Sequence, residues 1–157
     1  METTLELHLI DQTKALQFIL AGKSLFTVEN KVSKKRFTFL VQKAKSPSGD
    51  KQMYFCKCCD SNGSYRFFGT IIQNTITKQV YFKYSAKADQ LPQDTIAVVA
   101  FDHIINKIFS LNKFNTNMNV WHRGLCCRCG KVLRTPESIQ LGIGPECIKK
   151  FNKSLNL

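Results

Sequence analysis

The alternation of apolar and polar residues divides the first hundred positions into a short helix, a run of strands and a longer helix. Residues 11–22 have helical spacing, with Asp11 placed to cap the helix and Gly22 placed to end it. From residue 24 to residue 84 apolar residues recur at every second position, and turn sequences separate the segments that have this alternation. The pattern predicts five antiparallel strands, at about 24–30, 34–45, 52–59, 64–73 and 78–84.

A second helix is predicted after Pro92 and Asp94. Its apolar stripe is broad enough to pack across a sheet and consists of Ala97, Val98, Phe101, Ile104, Ile105 and Ile108. Residues 110–120 are rich in Asn and lack a period, which is typical of a linker. We therefore expect an α+β fold in which an antiparallel sheet of about five strands packs on a core helix. Residues 1–110 form this domain, and residues 111–157 form a linker and a cysteine-containing module.

Composition narrows the class of protein. The chain has 157 residues, is 43% apolar and carries a formal net charge of +12, so the charge lies on a folded surface and not on a disordered basic tail. No apolar run approaches the roughly 18 residues that cross a bilayer, and the first residues lack a signal-peptide pattern. We expect a cytoplasmic protein. In a reducing compartment its seven cysteines are more typical of metal ligands than of disulfides.

The strongest chemical motif lies near the end of the chain. Cys126 and Cys129 have the Cys-x2-Cys spacing that presents two sulfurs to one Zn²⁺ ion, and Gly130 suits the tight turn that follows. Cys147 and His122 complete a set of four ligands. Spacing favours Cys126 over its neighbour Cys127. The fourth ligand stays open among His122, water, Cys127 and a distant histidine.

A helix beginning at Pro145 is predicted to place Cys147 in its first turn, where the helix dipole stabilises a thiolate. A knuckle with a further ligand from a helix is the treble-clef type of site. Four protein ligands would leave no open position for an activated water molecule. The sequence thus predicts one structural Zn²⁺ ion in a treble-clef-like, zinc-binding module within residues 111–157.

The segment from Trp121 to Cys147 resembles a known module. It carries His-x-Gly-x-Cys-x2-Cys-Gly, then Pro-Glu-Ser, then Gly-Ile-Gly-Pro and a final cysteine. This pattern is similar to that of a small zinc-binding module of uncharacterised function from bacteriophage and mobile-element proteins. The resemblance implies a phage or prophage origin, a bacterial cytoplasm, and zinc held by His122, Cys126, Cys129 and Cys147. It departs from the module at Cys127, where a residue other than cysteine is usual.

A second cysteine group lies late in a predicted strand. Cys56 and Cys58 project from one face and Cys59 follows. Three interpretations remain open: a second metal site, a thiol that completes the zinc site across the fold, and simple packing of small apolar side chains. Packing is favoured, because no His or acidic ligand follows at a suitable spacing.

Positive charge is concentrated in the last third of the chain. The first 102 residues carry 14 basic against nine acidic residues, and the last 55 carry nine against two. Such a field attracts a phosphate backbone or an acidic protein face. The candidate partner-binding or phosphate-binding residues are Lys34, Lys35, Arg36, Arg123, Arg128, Lys131, Arg134, Lys149, Lys150 and Lys153.

Two further features have both a functional and a structural interpretation. Residues 141–145, Leu-Gly-Ile-Gly-Pro, resemble the hairpin of helix-hairpin-helix motifs, whose glycine amides hold a phosphate; a sharp turn that returns Cys147 to the zinc is favoured instead. The aromatic residues Phe55, Tyr65, Phe67 and Phe68 suit either base stacking or, by preference, the core.

Function follows from what the sequence contains and lacks. There is no paired-carboxylate site, Ser-His-Asp set, P-loop or Rossmann fingerprint, so we expect no enzyme. The first hypothesis is a phage-type zinc-binding protein whose basic surface binds and inhibits a host nucleoprotein enzyme; anti-CRISPR inhibitors of RNA-guided nucleases are such a group. The alternative is a phage accessory protein that binds DNA or RNA directly. Monomer and dimer are both compatible with the pattern.

Overall fold

The structure is a computed structural model that describes residues 7–45, 47, 49–86, 91–114 and 117–154, with side chains as far as Lys150. Alternating apolar residues produce its strands, which are β1 (His8–Ile10), β2 (Lys23–Asn30), β3 (Arg36–Lys43), β4 (Lys51–Cys59), β5 (Tyr65–Asn74), β6 (Val80–Tyr84) and β7 (Met118–His122). The mixed α/β class is confirmed. The five strands predicted from the sequence are present, and most of their ends are shifted by one or two residues.

The helices are short. A 3-10 turn (Gln12–Lys14) leads into α1 (Ala15–Ile19), and the Asp11 carboxylate accepts the Thr13 N–H at 3.0 Å, as its predicted capping role requires. The later helices are α2 (Ile96–His103), a π-helical continuation (Ile104–Phe109), α3 (Pro136–Leu141) and α4 (Pro145–Ser154).

The strands form a seven-stranded antiparallel sheet with the order β1-β7-β2-β3-β4-β5-β6. Strands β2 to β6 form a meander of hairpins. The predicted number of about five strands was too low, because β1 and β7 were missed. Residues 118–120, predicted as part of a linker, belong to β7, which lies between β1 and β2.

The core lies on one face of the sheet, beneath α1, α2 and the π-helical segment. Rings from three strands meet α2 there: the Phe101 ring lies 4.8–5.0 Å, centroid to centroid, from those of Phe39, Phe68 and Phe82. All four side chains are buried. The predicted stripe on the second helix is therefore confirmed as the core-facing side.

The π-helical segment also completes the edge strand β6. Asn106 Oδ1 accepts the N–H of Phe82 at 2.7 Å, and Asn106 Nδ2 donates to the carbonyl of Phe82 at 3.0 Å. An edge strand otherwise exposes unpaired backbone groups. The side chain thus pairs with β6 as a further strand would. None of the helices in the described ranges is long and apolar enough to cross a membrane.

Candidate metal centre

A tight loop after β7 presents the first two cysteines. The Cys126 N–H donates to the carbonyl of Lys131, and the N–H of Gly130 donates to the carbonyl of Cys126, both at 2.8 Å. Gly130 has φ +81°, a conformation that favours glycine. A bridge between Leu125 and Val132 closes the loop. The loop has the form that the Cys-x2-Cys-Gly motif predicts.

Two short helices return the chain to this loop. Thr135 Oγ1 accepts the N–H of Ser138 and caps α3, with Pro136 in its first position, as predicted. Gly142, with φ +74°, ends that helix. The next helix, α4, begins at Pro145, so Cys147 is its third residue.

The three cysteines of the motif meet at one point. The Sγ atoms of Cys126, Cys129 and Cys147 all lie within 4.8 Å of one another. Sulfurs that each lie at 2.3 Å from a tetrahedral Zn²⁺ ion are about 3.8 Å apart, so a shift of about 1 Å or less brings them into range. This cluster could hold a metal ion. Thiolates are soft ligands, suited to Zn²⁺ and to iron in sulfur sites.

Local dipoles and charge favour a thiolate in the cluster. The N–H of Gly144 donates to Cys126 Sγ at 3.4 Å, and the guanidinium of Arg128 donates to Cys147 Sγ at 3.8 Å. Burial acts to raise the pKa of Cys126, but the N–H groups of Gly144, Cys129 and Arg128 outweigh it, and the pKa lies below its usual value. Burial and the neighbouring sulfurs raise the pKa of Cys147. A bound cation would offset this repulsion.

Cys127 lies apart from the cluster. Its side chain is buried, and burial, with Cys126 nearby, raises its pKa to about 12. Its backbone links three parts of the fold, since its N–H donates to the carbonyl of Gly142 at 2.9 Å and its carbonyl accepts the N–H of Lys23 at 2.8 Å. Cys127 therefore packs as a neutral thiol while its backbone joins the loop to β2.

The structure places His122 outside the sulfur cluster. Its Nδ1 accepts the N–H of Gly124 at 3.0 Å, and its Nε2 donates to the carbonyl of Ile139 at 2.8 Å. The ring is buried and lies 5.2 Å from that of His8 and 5.6 Å from that of Phe18, centroid to centroid. Burial lowers its pKa. His122 was predicted as a metal ligand from the sequence, but the backbone engages both of its ring nitrogens here.

The second cysteine group packs in the core. Cys56 and Cys58 are buried on the helix-covered face, as their predicted common face requires. Burial raises the pKa of Cys56 strongly and that of Cys58 to about 11. Among the residues that the structure describes, neither they nor Cys59 join a cluster of metal ligands. Packing is the role that the structure shows for Cys56 and Cys58.

The candidate basic residues form two separate groups. One group belongs to the segment that carries the cysteine cluster: Lys131, Arg134, Lys149 and Lys150 are exposed, and Arg123 and Arg128 are half-buried. The side chain of Lys153 lies outside the described part. Lys34 and Lys35 are exposed in the β2–β3 turn, and Arg36 bonds Glu29 at 2.7 Å.

The length of β2 separates these groups. Lys23, at the beginning of β2, bonds the cysteine loop, whereas the β2–β3 turn follows Asn30 at the other end. Seven steps of about 3.4 Å separate the two ends by roughly 24 Å. The basic residues therefore do not form one compact patch.

The Gly-Ile-Gly-Pro loop forms the sharp turn that returns the chain to the cysteine cluster. The amide of Gly144 is directed at Cys126 Sγ, and the carbonyl of Gly142 accepts the N–H of Cys127.

Of the four aromatic candidates, Phe68 is buried in the core, whereas Phe55 is exposed and Tyr65 and Phe67 are half-buried. The preferred prediction, that these aromatic side chains pack in the core, is correct for Phe68 alone.

Comparison with known proteins gives one match. Residues 121–152 match the model of a family of unknown function, DUF6011. This segment runs from the end of β7 into α4 and contains all three cysteines of the cluster. No curated protein and no solved structure matches the chain.

Proposed function

We propose that this protein is a non-enzymatic nucleic-acid-binding protein whose C-terminal segment is held in shape by one structural Zn²⁺ ion. The observation that carries the proposal is the convergence of Cys126, Cys129 and Cys147 within a segment, residues 121–150, that has six basic residues and two acidic ones. The ion stabilises the fold, and the surrounding cations bind phosphate groups.

The zinc site is of the treble-clef type in this proposal. A knuckle that supplies Cys126 and Cys129, a bridged loop, and Cys147 in the first turn of α4 support that assignment. Zinc suits the site better than a hard cation because the donors are thiols. The three cysteines are the ligands that the proposal requires. His122, predicted as a ligand from the sequence, can bind only by giving up one of its backbone bonds.

The need for an ion follows from the size of the segment. Beyond β7, α3 has six residues and α4 has ten, and of the side chains that the structure describes there, as far as Lys150, few apolar ones are buried, among them Leu133 and Ile143. Segments with so little core commonly depend on a metal ion for their folded form. Zinc binding would therefore fix the positions of Arg128, Lys149 and Lys150 relative to one another.

Direct binding to free nucleic acid tests the function. Zinc-loaded protein titrated with labelled single-stranded and duplex DNA and RNA should bind at low salt and weaken linearly on a log-log plot as salt rises. The double variant Lys149→Gln/Lys150→Gln should lower the slope by about one for every phosphate group that it no longer neutralises. Lys34→Gln/Lys35→Gln, at the far end of β2, is the matched control. If wild-type protein binds no nucleic acid at low salt, the proposal is wrong.

Inhibition of a host nucleoprotein enzyme, such as an RNA-guided nuclease, stays a prediction, as do a phage origin and a bacterial cytoplasmic location. The same basic residues would serve that function by docking on an acidic face or at a nucleic-acid entry site. Excess protein that inhibits nuclease cleavage without binding the free guide or target would favour this second function.

A further inference from the structure

The sheet has a second face that the described helices leave partly open. Side chains alternate between the two faces of a strand, so residues that pair with one another across the sheet point to the same side. One such row crosses five strands, and backbone pairing orders it as Lys23, Gln42, Phe55, Thr70 and Lys83. The adjacent row is Leu25, Leu40, Lys57 and Phe67. We call these two rows the open face.

Aromatic rings occupy the centre of the open face. The rings of Phe55 and Phe67 lie 6.1 Å apart, centroid to centroid, with an interplanar angle of 70°. Phe55 is 42% exposed, and Phe67 is half-buried. Three other phenylalanines of the sheet, Phe39, Phe68 and Phe82, pack against Phe101 of α2, so the sequence supplies buried positions for rings and still places Phe55 and Phe67 on the other side. Exposed rings in adjacent strands are suited to stacking.

The charge of the strands identifies what kind of molecule suits these rings. On the side of the sheet that carries the open face, the described strands have five basic residues, Lys23, Arg36, Lys51, Lys57 and Lys83, and one acidic residue, Glu29. That carboxylate is buried and bonds Arg36. Lysines flank Phe55 at both ends of its row, and Lys57 lies beside Phe67. The face is therefore aromatic at its centre and positive around it.

The open face is continuous with the cysteine loop. Lys23, at the end of the Phe55 row, donates its N–H to the carbonyl of Cys127. Its side chain follows the loop closely, since a Cβ atom added at Gly130 would lie 3.2 Å from Lys23 Cδ and 3.6 Å from Nζ. The same lysine thus belongs to the row and borders the metal centre.

We infer that the open face binds single-stranded nucleic acid, with unpaired bases stacking on Phe55 and Phe67 and phosphates contacting Lys23, Lys57 and Lys83. This inference rests on the proposed function and names its class of ligand and its binding surface. A single strand is the favoured form because its bases expose their ring faces, whereas those of a duplex are stacked on each other. An apolar protein partner suits the face less well, because docking it would desolvate the central Lys57 without an opposite charge.

The test is binding of an oligothymidine of about 15 nucleotides by anisotropy, with zinc-loaded protein. Phe55→Leu and Phe67→Leu keep apolar volume but remove a stacking ring, and each should weaken binding about fivefold or more with the salt slope unchanged. Lys57→Gln should instead lower the slope. Phe114→Leu is the matched control, since Phe114 is similarly exposed and lines a different cavity, beside β1. Circular dichroism verifies that each variant is folded.

Several results would overturn the inference. If Phe55→Leu and Phe67→Leu bind like wild type while Lys149→Gln/Lys150→Gln does not, the strand binds at the metal centre, and the proposed function survives without this surface. Equal losses for a duplex of the same length would exclude stacking of unpaired bases. A dimer that Phe55→Leu dissociates, seen by sedimentation, would assign the face to a second copy of the chain. No binding to any nucleic acid would overturn both proposals.

Discussion

His122 joins strand β7 to helix α3 through the carbonyl of Ile139, which accepts the Nε2 proton at 2.8 Å. The other ring nitrogen accepts the N–H of Gly124. One buried imidazole therefore satisfies a donor and an acceptor that belong to different parts of the C-terminal segment. The histidine of the motif thus has a structural role beside the cysteine cluster.

His122→Ala should destabilise the protein and leave the metal in place. Removing the ring leaves the buried N–H of Gly124 and the half-buried carbonyl of Ile139 without this partner, which costs roughly 1–3 kcal/mol of unfolding free energy. Denaturant unfolding measures the loss, and His8→Ala, which removes the adjacent ring, is the control. Zinc content and the absorption spectrum of the Co²⁺ form, measured well below the melting temperature, should not change. A changed Co²⁺ spectrum would identify His122 as a ligand.

Cys129→Ser should release the metal ion. Cys129 is exposed, so the substitution removes a sulfur without removing buried packing. Wild-type protein should contain close to one zinc per chain, and the variant should lose it on dialysis and become sensitive to proteolysis after β7. Cys59→Ser, a half-buried cysteine outside the cluster, should keep its zinc. A stable wild-type protein without metal would refute the zinc assignment.

Gly142→Ala should destabilise the C-terminal segment by more than its backbone angle alone predicts. The added Cβ would lie 2.6 Å from Cε2 of the buried Phe18, in addition to roughly 1–2 kcal/mol for a positive φ. Gly49→Ala isolates the second contribution, since Gly49 has φ +62° and no atom within 4 Å of an added Cβ. Thermal unfolding should therefore give a larger shift for Gly142→Ala. Equal shifts would mean that the ring of Phe18 does not lie against Gly142.

Glu29 should contribute to a loss of stability in acid. The hydrogen bond from Arg36 and then that from Asn119 lower the pKa of Glu29 from the reference value of 4.5. Because the folded pKa lies below the unfolded one, this stabilisation is complete above about pH 4.5 and is lost as the pH falls through the folded value. Unfolding free energies measured against pH should be flatter in this range for Glu29→Gln. An unchanged profile would show that the ion pair has no net effect.

The sequence predicted the meander well because its physical basis is local. Alternating apolar residues, such as Phe37, Phe39 and Val41, indicate a strand with one buried face whichever strands lie beside it. Turn residues then mark where each strand ends. It failed for β7, although Met118, Val120 and His122 also alternate and are buried. That signal covers five residues among asparagines, and only its distant partners β1 and β2 make it a strand.

The candidate site could likewise be predicted only in part from the sequence. The spacing of Cys126, Cys129 and Cys147 was sufficient to predict a cluster, because a tight turn and a helix start leave the sulfurs few positions. The environment of His122 was not predictable, since the carbonyl of Ile139 reaches it only through the packing of α3. The open face was missed because alternation reveals two faces and does not reveal which helices cover them.

The position of β7 has a consequence for synthesis and folding. Glu29 and Asn119 are neighbours in the sheet but are 90 residues apart in the chain. During translation the meander β2–β6 emerges first, with the β2 edge unpaired until residue 122 has left the ribosome. Strands that are so far apart in the sequence pair slowly. Until β7 pairs with it, the exposed edge of β2 can pair with strands of other chains. We therefore expect nascent or truncated chains that end before β7 to be the aggregation-prone form of this protein.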